Sequence, residues 1–140
     1  MVDKAKENAR LLRLRNVEVH VADILAGPLE DACADVVISN GAINLSPHKL
    51  CVFKEVFRIL RAGGRIQFAD MVGDCAAATP SCGSWADCIS GTVEPQRYLE
   101  MLGAAGFGDA ELVARTSYRT APTTIGATFR ARKPEDRNTK

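Results

Sequence analysis

Residues 34–46, which read ADVVISNGAINLS, constrain the fold more than any other part of the chain. Residues 36–39 are β-branched or small, and the run ends at Asn40 and Gly41, a pair at which a chain turns sharply. A continuous run of this kind is typical of a buried parallel strand with helices on both faces. Because ligands of such sheets bind just beyond the carboxyl ends of the strands, residues 40–44 are the first candidates for a functional site.

Seven further elements are predicted from alternating or helical periodicity along the chain. They are helices at 3–14, 47–61 and 94–105, and strands at 17–24, 65–72, 109–117 and 123–132. This order predicts an α/β fold with a layered sheet that finishes in an antiparallel hairpin. Residues 1–133 are expected to form a single domain, and residues 134–140 a disordered tail.

Composition and charge exclude several classes of protein. The 140 residues carry 18 Lys and Arg against 17 Asp and Glu, so no excess charge indicates a nucleic-acid or membrane partner. The longest apolar runs are strand-sized and Met1 leads into a charged segment, which favours a cytoplasmic location. Five cysteines without short paired spacing argue against a disulfide framework and a zinc site. Of these, Cys33 and Cys51 are expected to be structural.

With these segments placed, the chain resembles a class I S-adenosylmethionine-dependent methyltransferase, and specifically the arsenite methyltransferase branch. The segments that carry the resemblance are NVEVHVADI, ADVVISNGAINLSPHK, VFKEVFRILRAGGRIQFAD, WADCISG and ATFRARK. The resemblance covers nearly the whole chain and matches the later two-thirds of such an enzyme. It implies a partial Rossmann-like sheet and S-adenosylmethionine as the cofactor.

The family's glycine-rich turn of the GxGxG type has no counterpart in this sequence, and Gly63-Gly64 precedes a strand instead of following one. In the family's sheet, a first strand that is missing here lies between the strands predicted at 17–22 and 34–40. Such a gap leaves backbone donors and acceptors unpaired. We expect the gap to be closed by direct pairing of those strands, by a homodimer, or by a missing N-terminal fragment, with the homodimer preferred.

The resemblance implies a set of cofactor-binding residues. Asp23 and Ile24 match the adenine-binding position, where the carboxylate accepts from the amino group and Ile24 packs on the ring. Ser39, Asn40 and Gly41 match the loop on the other side of the cofactor. Without the resemblance, Asp23 is equally well explained as a strand-end acid that caps a turn, and Asn40-Gly41 as a tight turn.

The resemblance also bears on a metalloid site. Arsenite methyltransferases usually carry a cysteine at the position of Gly41, and this departure argues against arsenite methylation by this chain. Cys88 matches another metalloid-binding cysteine, and Cys75 and Cys82 lie in the loop before it. Thiolates suit As(III), so these three residues are candidate ligands, although Cys88 is equally consistent with a small buried apolar residue.

Asp70 also ends a predicted strand and is a further candidate for the same crevice, whereas His20 and His48 are expected to be surface residues. No Ser-His-Asp arrangement is needed, because methyl transfer from a sulfonium mainly requires alignment of donor and acceptor. The sequence therefore predicts a methyltransferase-like protein that is incomplete as a single chain. The alternatives are a non-catalytic module that dimerises or binds a small molecule, and a metalloid or thiol sensor.

Overall fold

The computed structural model describes residues 1–74 and 92–135. The chain begins with helix α1 (Val2–Leu11) and continues, after a long segment without helix or strand, into strand β1 (Ala34–Asn40). A short 3-10 helix (Ile43–Leu45) leads to helix α2 (Lys49–Ile59), which passes directly into strand β2 (Leu60–Gly73). Helix α3 (Pro95–Ala104), strand β3 (Gly108–Arg115) and strand β4 (Thr124–Arg132) follow.

The four strands form one mixed sheet in the order β1-β2-β4-β3. Strands β1 and β2 are parallel, as a strand-helix-strand unit requires, whereas β4 is antiparallel to both β2 and β3. The predicted α/β class and the antiparallel hairpin at the end of the chain are therefore confirmed. In addition, β4 lies inside the sheet, so the hairpin extends the parallel pair.

The core lies between one face of this sheet and helices α2 and α3. Alternate residues of β2 point toward these helices, and Phe68 stacks on Phe129 of β4 with ring centroids 5.0 Å apart. Phe53 of α2 and Tyr98 of α3 complete the aromatic cluster, and all four side chains are buried. Aromatic packing of this kind contributes beyond simple area burial, so the core fixes the position of both helices on the sheet.

The strand predicted at 17–24 is absent from the structure. Residues 17–22 pair with no segment within 1–74 or 92–135, and a single bridge joins Asp23 to Ala26. Val21 is 79% exposed, although its alternation with Glu18 and His20 fitted a half-buried strand. Alternation indicates a strand only where a neighbour completes the hydrogen-bond ladder, and none of the described residues supplies that neighbour here.

The expected burial of strand 34–40 on both faces is also wrong, because β1 is an edge strand of the described sheet. Val37 and Ser39 point to the face that carries α2, whereas Ile38 on the opposite face is 80% exposed and Val36 is 41% exposed. The outer edge of β1 consequently presents unpaired backbone groups beside two exposed β-branched side chains.

Three smaller expectations are also corrected. Helix α2 ends at Ile59 and not at residue 61, and Gly63, with φ of +75°, lies inside β2 instead of capping the helix. Cys33 and Cys51 are exposed and therefore not core residues. The end of the predicted tail, residues 136–140, lies outside the described residues, and the domain boundary stays a prediction. No helix in the described part of the chain is long and apolar enough to cross a membrane.

Candidate functional site

The carboxyl ends of β1 and β2 lie side by side. Asn40 pairs with Ala69 in the parallel ladder, and the backbone N–H of Gly41 donates to the carbonyl oxygen of Ala69 over 2.9 Å. The chain leaves the sheet at Gly41, which has φ of +70°, and the 3-10 helix then crosses above the strand ends. This is the position at which open α/β sheets bind ligands.

A cavity of about 300 Å³ opens on the helix side of β1. We call it the Ser39 cavity; it lies between β1, α2 and the segment at 23–29 that precedes the strand. Its lining is mostly apolar, with polar groups at only a few points. The lining includes Asp23, Ile24, Ser39, Ile43, Val52 and Glu55. Predominantly apolar walls with a few convergent polar groups are typical of small-molecule sites.

Ser39 is one of the polar residues that line this cavity. Its hydroxyl is buried, and no hydrogen-bond partner for it exists among residues 1–74 and 92–135. A buried hydroxyl without a partner has a free-energy cost of roughly 1–3 kcal/mol, so such groups call for an explanation. A ligand with a polar atom at this point would remove that cost.

Asp23 and Ile24 form the opposite wall. The Asp23 carboxylate Oδ1 accepts the backbone N–H of Leu25 over 2.9 Å, and the Ala26 N–H donates to the Asp23 carbonyl oxygen over 3.1 Å. The resulting tight turn leaves Asp23 exposed at the mouth and keeps Leu25 packed against the core. The structure thus brings three of the predicted residues, Asp23, Ile24 and Ser39, to one cavity.

The remaining two predicted residues lie elsewhere, because successive side chains of a strand point to opposite faces. Asn40 and Gly41 line a second cavity, of about 350 Å³, together with Ala69, Met71, Tyr118 and Thr116. A β-carbon added at Gly41 would meet nothing within 4 Å. The predicted residues therefore divide between two cavities that β1 separates.

The sequence did not indicate how residues 23–32, which contain no helix or paired strand, are held in place. Glu55 Oε1 accepts the backbone N–H of Gly27 over 2.9 Å. Arg58 donates from Nε to Glu55 Oε2 and from Nη2 to Glu55 Oε1, at 2.8 and 2.7 Å. Arg58 also contacts Asp31 through Nη1 and the carbonyl oxygen of Leu29 through Nη2. One acid–base pair on α2 thus fixes the outer wall of the Ser39 cavity.

Asp70 does not line the Ser39 cavity; it is among the residues that line the second cavity, with Asn40 and Gly41. Its side chain is buried, and no hydrogen bond from a described residue reaches either carboxylate oxygen within the usual limits of distance and angle. Burial raises the pKa of this carboxyl to about 6, an effect opposed by the nearby backbone N–H of Asn44 and the charge of Lys49.

Lys49 links this buried carboxyl to the loop after β1. Its Nζ donates to the carbonyl oxygens of Asn44 and Ser46 over 3.1 and 2.8 Å, so it holds the end of the 3-10 helix. Burial lowers the pKa of the Lys49 ammonium, and the charge of Asp70 raises it. Burial likewise raises the pKa of the Tyr98 hydroxyl, and Asp70 adds to this shift. Lys49 thus stabilises the loop after β1 through its two hydrogen bonds, and Asp70 borders the second cavity.

The predicted metalloid ligands cannot be placed. Cys75, Cys82 and Cys88 lie outside the described residues, and within 1–74 and 92–135 no three His, Cys, Asp or Glu side chains group as a metal site. His20 lies at the surface, 3.4 Å from Glu18. Where the chain is described, the Ser39 cavity is therefore the better-supported site.

Comparison with known proteins gives consistent results. A family model described as a methyltransferase domain matches residues 1–106. The arsenite methyltransferase of Halobacterium salinarum is 34% identical over 120 residues, an alignment that covers 82% of this chain and 30% of that protein. The chain therefore spans less than a third of the length of this relative.

Solved structures show the same fold. An arsenic(III) S-adenosylmethionine methyltransferase from Chlamydomonas reinhardtii superposes with a TM-score of 0.63 and 22% identity, covering 85% of this chain and 44% of that one. A geranyl diphosphate C-methyltransferase from Streptomyces coelicolor, solved with S-adenosyl-L-homocysteine, gives a TM-score of 0.72 at 16% identity, covering 94% and 58%. At these identities the similarity concerns the fold alone.

Proposed function

Because the chain belongs to the methyltransferase domain family, we propose that its Ser39 cavity binds the adenosine end of S-adenosylmethionine. The predicted resemblance to arsenite methyltransferases is confirmed by the relatives that match. The observation that carries the proposal is that Ser39, whose buried hydroxyl has no partner among the described residues, lines one cavity with Asp23 and Ile24. A purine would supply polar edge atoms to both polar groups and a flat face to Ile24.

The residues present fit the adenine end of the cofactor. Oδ1 of Asp23 is engaged with the Leu25 N–H, so Oδ2 can accept the exocyclic amino group of adenine. Ile24, Ile43 and Val52 offer apolar contacts for the ring. A carboxylate that accepts from an amino group favours adenine over hypoxanthine, in which a carbonyl oxygen replaces that group.

The residues present do not fit the methionine end. The sequence contains no GxGxG turn, and among residues 1–74 and 92–135 nothing pairs with the outer edge of β1. We propose that a second copy of the chain pairs along this edge in a homodimer. A separate N-terminal fragment that supplies a strand is the competing explanation, and the solution mass distinguishes the two.

With the complete cofactor bound, the reaction would be an in-line displacement. S-adenosylmethionine would supply a methyl group on a sulfonium sulfur, and the lone pair of the acceptor would take that methyl group as the neutral thioether leaves. No proton needs to be moved by the protein for a soft acceptor such as As(III), so this chain's residues contribute binding and orientation. An acceptor site in this chain would lack the thiolate that arsenite methyltransferases usually have at the position of Gly41, and Cys88 remains a candidate ligand.

A non-catalytic role is the second candidate function. The absent glycine-rich turn and the open edge of β1 favour a module that dimerises and binds a nucleoside without transferring a methyl group. Both functions use the Ser39 cavity, and both are consistent with the cytoplasmic location that we propose. They differ in whether a methylated product forms when the cofactor and an acceptor are supplied together.

The adenine assignment is tested by comparing S-adenosylhomocysteine with S-inosylhomocysteine, its hypoxanthine analogue, in isothermal titrations. We expect the adenine ligand to bind about tenfold more tightly, because the analogue cannot donate to Asp23. The variant Asp23→Asn should lose this preference, whereas Asp3→Asn on α1 should keep it. Equal affinities of the wild-type chain for both ligands would contradict the assignment.

A further inference from the structure

The outer wall of the Ser39 cavity is held by two side chains of α2, Glu55 and Arg58, of which only Glu55 also lines the cavity. Residues 23–32 form no helix and no paired strand, and they contain only the Asp23–Ala26 bridge. Their one apolar anchor in the core is Leu25, which is partly buried. A segment with so few internal contacts opens at a low free-energy cost unless other groups hold it.

Glu55 and Arg58 supply that restraint. They are three residues apart on α2 and therefore adjacent on its surface. The guanidinium donates to both oxygens of the Glu55 carboxylate, a paired geometry that is stronger and better oriented than a single bond. The Glu55 carboxylate is thus fixed in direction before it accepts the Gly27 N–H.

Together the two side chains reach the segment at several successive points. Glu55 accepts from Gly27, Arg58 donates to the Leu29 carbonyl oxygen and to Asp31, and the Arg58 carbonyl oxygen accepts the Ala32 N–H over 2.9 Å. The Glu55 side chain is only 14% exposed, and the Arg58 side chain is 33% exposed. The bonds of Glu55 to Gly27 and Arg58 are partly buried and therefore less screened by solvent than the exposed bonds of Arg58 to Leu29 and Asp31.

We propose that Glu55 and Arg58 are positioning residues for the ligand of the Ser39 cavity, because they hold Asp23 and Ile24 in the geometry that faces Ser39. Ordering a loop on binding costs free energy, and a loop that is already ordered binds more tightly. The proposal rests on the proposed function for the identity of the ligand, but the restraint on the segment is independent of it. Arg58 does not line the cavity, so a change at Arg58 can affect the ligand only through the segment at 23–32 or through Glu55.

The test combines the variants Glu55→Gln and Arg58→Gln with a matched pair on α3. Arg97 and Glu100 form an ion pair with the same three-residue spacing, at 3.0 Å, and touch no part of the segment at 23–32. We measure amide hydrogen exchange at Gly27 and Ala32 in the ligand-free protein, and the Kd of S-adenosylhomocysteine by titration. Arg58→Lys is included because it keeps the charge but cannot make the paired contact.

We expect Glu55→Gln and Arg58→Gln to speed exchange at Gly27 and to weaken the Kd about fivefold to tenfold, as for loss of a charge-assisted bond. Arg58→Lys should recover part of the affinity, and Arg97→Gln and Glu100→Gln should change neither quantity. The double variant Glu55→Gln, Arg58→Gln should weaken binding by less than the product of the single effects, since the two residues act as one unit.

Unchanged exchange at Gly27 in both variants would overturn the restraint itself. Faster exchange with an unchanged Kd would overturn the link between the restraint and binding. If the wild-type chain does not bind the ligand at all, the proposed function fails, and the exchange data still decide whether the pair holds the segment. A loss of affinity in the α3 controls as large as in the α2 variants would also contradict the inference.

Discussion

The backbone N–H of Gly41 donates to the carbonyl oxygen of Ala69 over 2.9 Å and so continues the parallel ladder one residue beyond the end of β1. This bond requires the chain to turn immediately, and Gly41 does so with φ of +70°. The turn directs the following 3-10 helix back across the strand ends, where its first residue, Ile43, lines the Ser39 cavity. The turn thus places Gly41 in the wall of one cavity and Ile43 in the wall of the other.

Substitution of Gly41 should measure the free-energy cost of its backbone conformation alone, because an added side chain would not collide with a neighbour. A β-carbon at Gly41 would meet nothing within 4 Å, but its left-handed φ is unfavourable for any residue with a side chain, so Gly41→Ala should lower the free energy of unfolding by about 1 kcal/mol. Gly103 on α3 is the matched control, because its β-carbon also meets nothing and its φ is not positive. Gly103→Ala should stabilise the chain by about 0.5–1 kcal/mol in the same urea titration.

The Ser39 hydroxyl should matter for binding and not for folding. Ser39→Ala removes a buried polar atom that has no partner, so the free energy of unfolding without ligand should stay the same or rise. The same change should weaken S-adenosylhomocysteine about fivefold, since a ligand hydrogen bond contributes roughly 1 kcal/mol. Thermal unfolding and titration of the same preparation provide both values. A destabilised variant with unchanged affinity would mean that Ser39 has a structural partner instead.

The stability of the chain should decrease as the pH rises from about 4 to 6 because of Asp70. Its folded pKa of about 6 lies above its ordinary value of 3.8, so the folded chain holds a proton that the unfolded chain has already released in this range. Asp70→Asn should remove this dependence and stabilise the chain at pH 7.5 by about 1–2 kcal/mol, a gain limited by the loss of the counter-charge for Lys49. Asp3→Asn, at the exposed start of α1, should keep the wild-type pH profile. A steep profile that persists in Asp70→Asn would contradict the assignment.

Self-association should depend on the exposed edge of β1. Ile38 is 80% exposed beside unpaired backbone groups, and a charge at such a position opposes strand pairing. If a second copy pairs there, light scattering at micromolar concentration should give a dimer for the wild-type chain and a monomer for Ile38→Asp. Val113→Asp, on the same sheet face but on the opposite edge strand β3, should remain dimeric. A wild-type monomer would end the dimer proposal and favour a separate fragment.

The sequence predicted those elements that find their packing or pairing partners among the described residues. The run at 34–40, the helical face of α2 and the closing hairpin all find their partners among the described residues, and each was located to within a few residues. The prediction of a strand at 17–24 was wrong because Val17, Val19 and Val21 alternate as in a strand but have no pairing partner in the described part of the chain. The periodicity of a segment indicates which face it can bury, but it does not indicate whether a second strand is present to pair with it.

The candidate site was also predicted only in part. The resemblance to the family placed Asp23, Ile24 and Ser39 together, and the structure has them at one cavity although no strand ends at Asp23. The assignment of all five residues to one site was wrong, because alternation sends Asn40 to the opposite face. The burial of Asp70 was available from the spacing, since it shares a face with the core residue Phe68 two positions earlier. The contacts of Glu55 and Arg58 with residues 27–31 carried no periodic signal and became evident only in three dimensions.

The most direct test of the account is an isothermal titration of S-adenosylmethionine into the wild-type chain, with the solution mass measured on the same sample. We predict micromolar binding that Ser39→Ala and Asp23→Asn weaken and that Asp3→Asn leaves unchanged. Absence of binding at millimolar ligand would contradict the central claim that the Ser39 cavity holds the adenosine end of the cofactor.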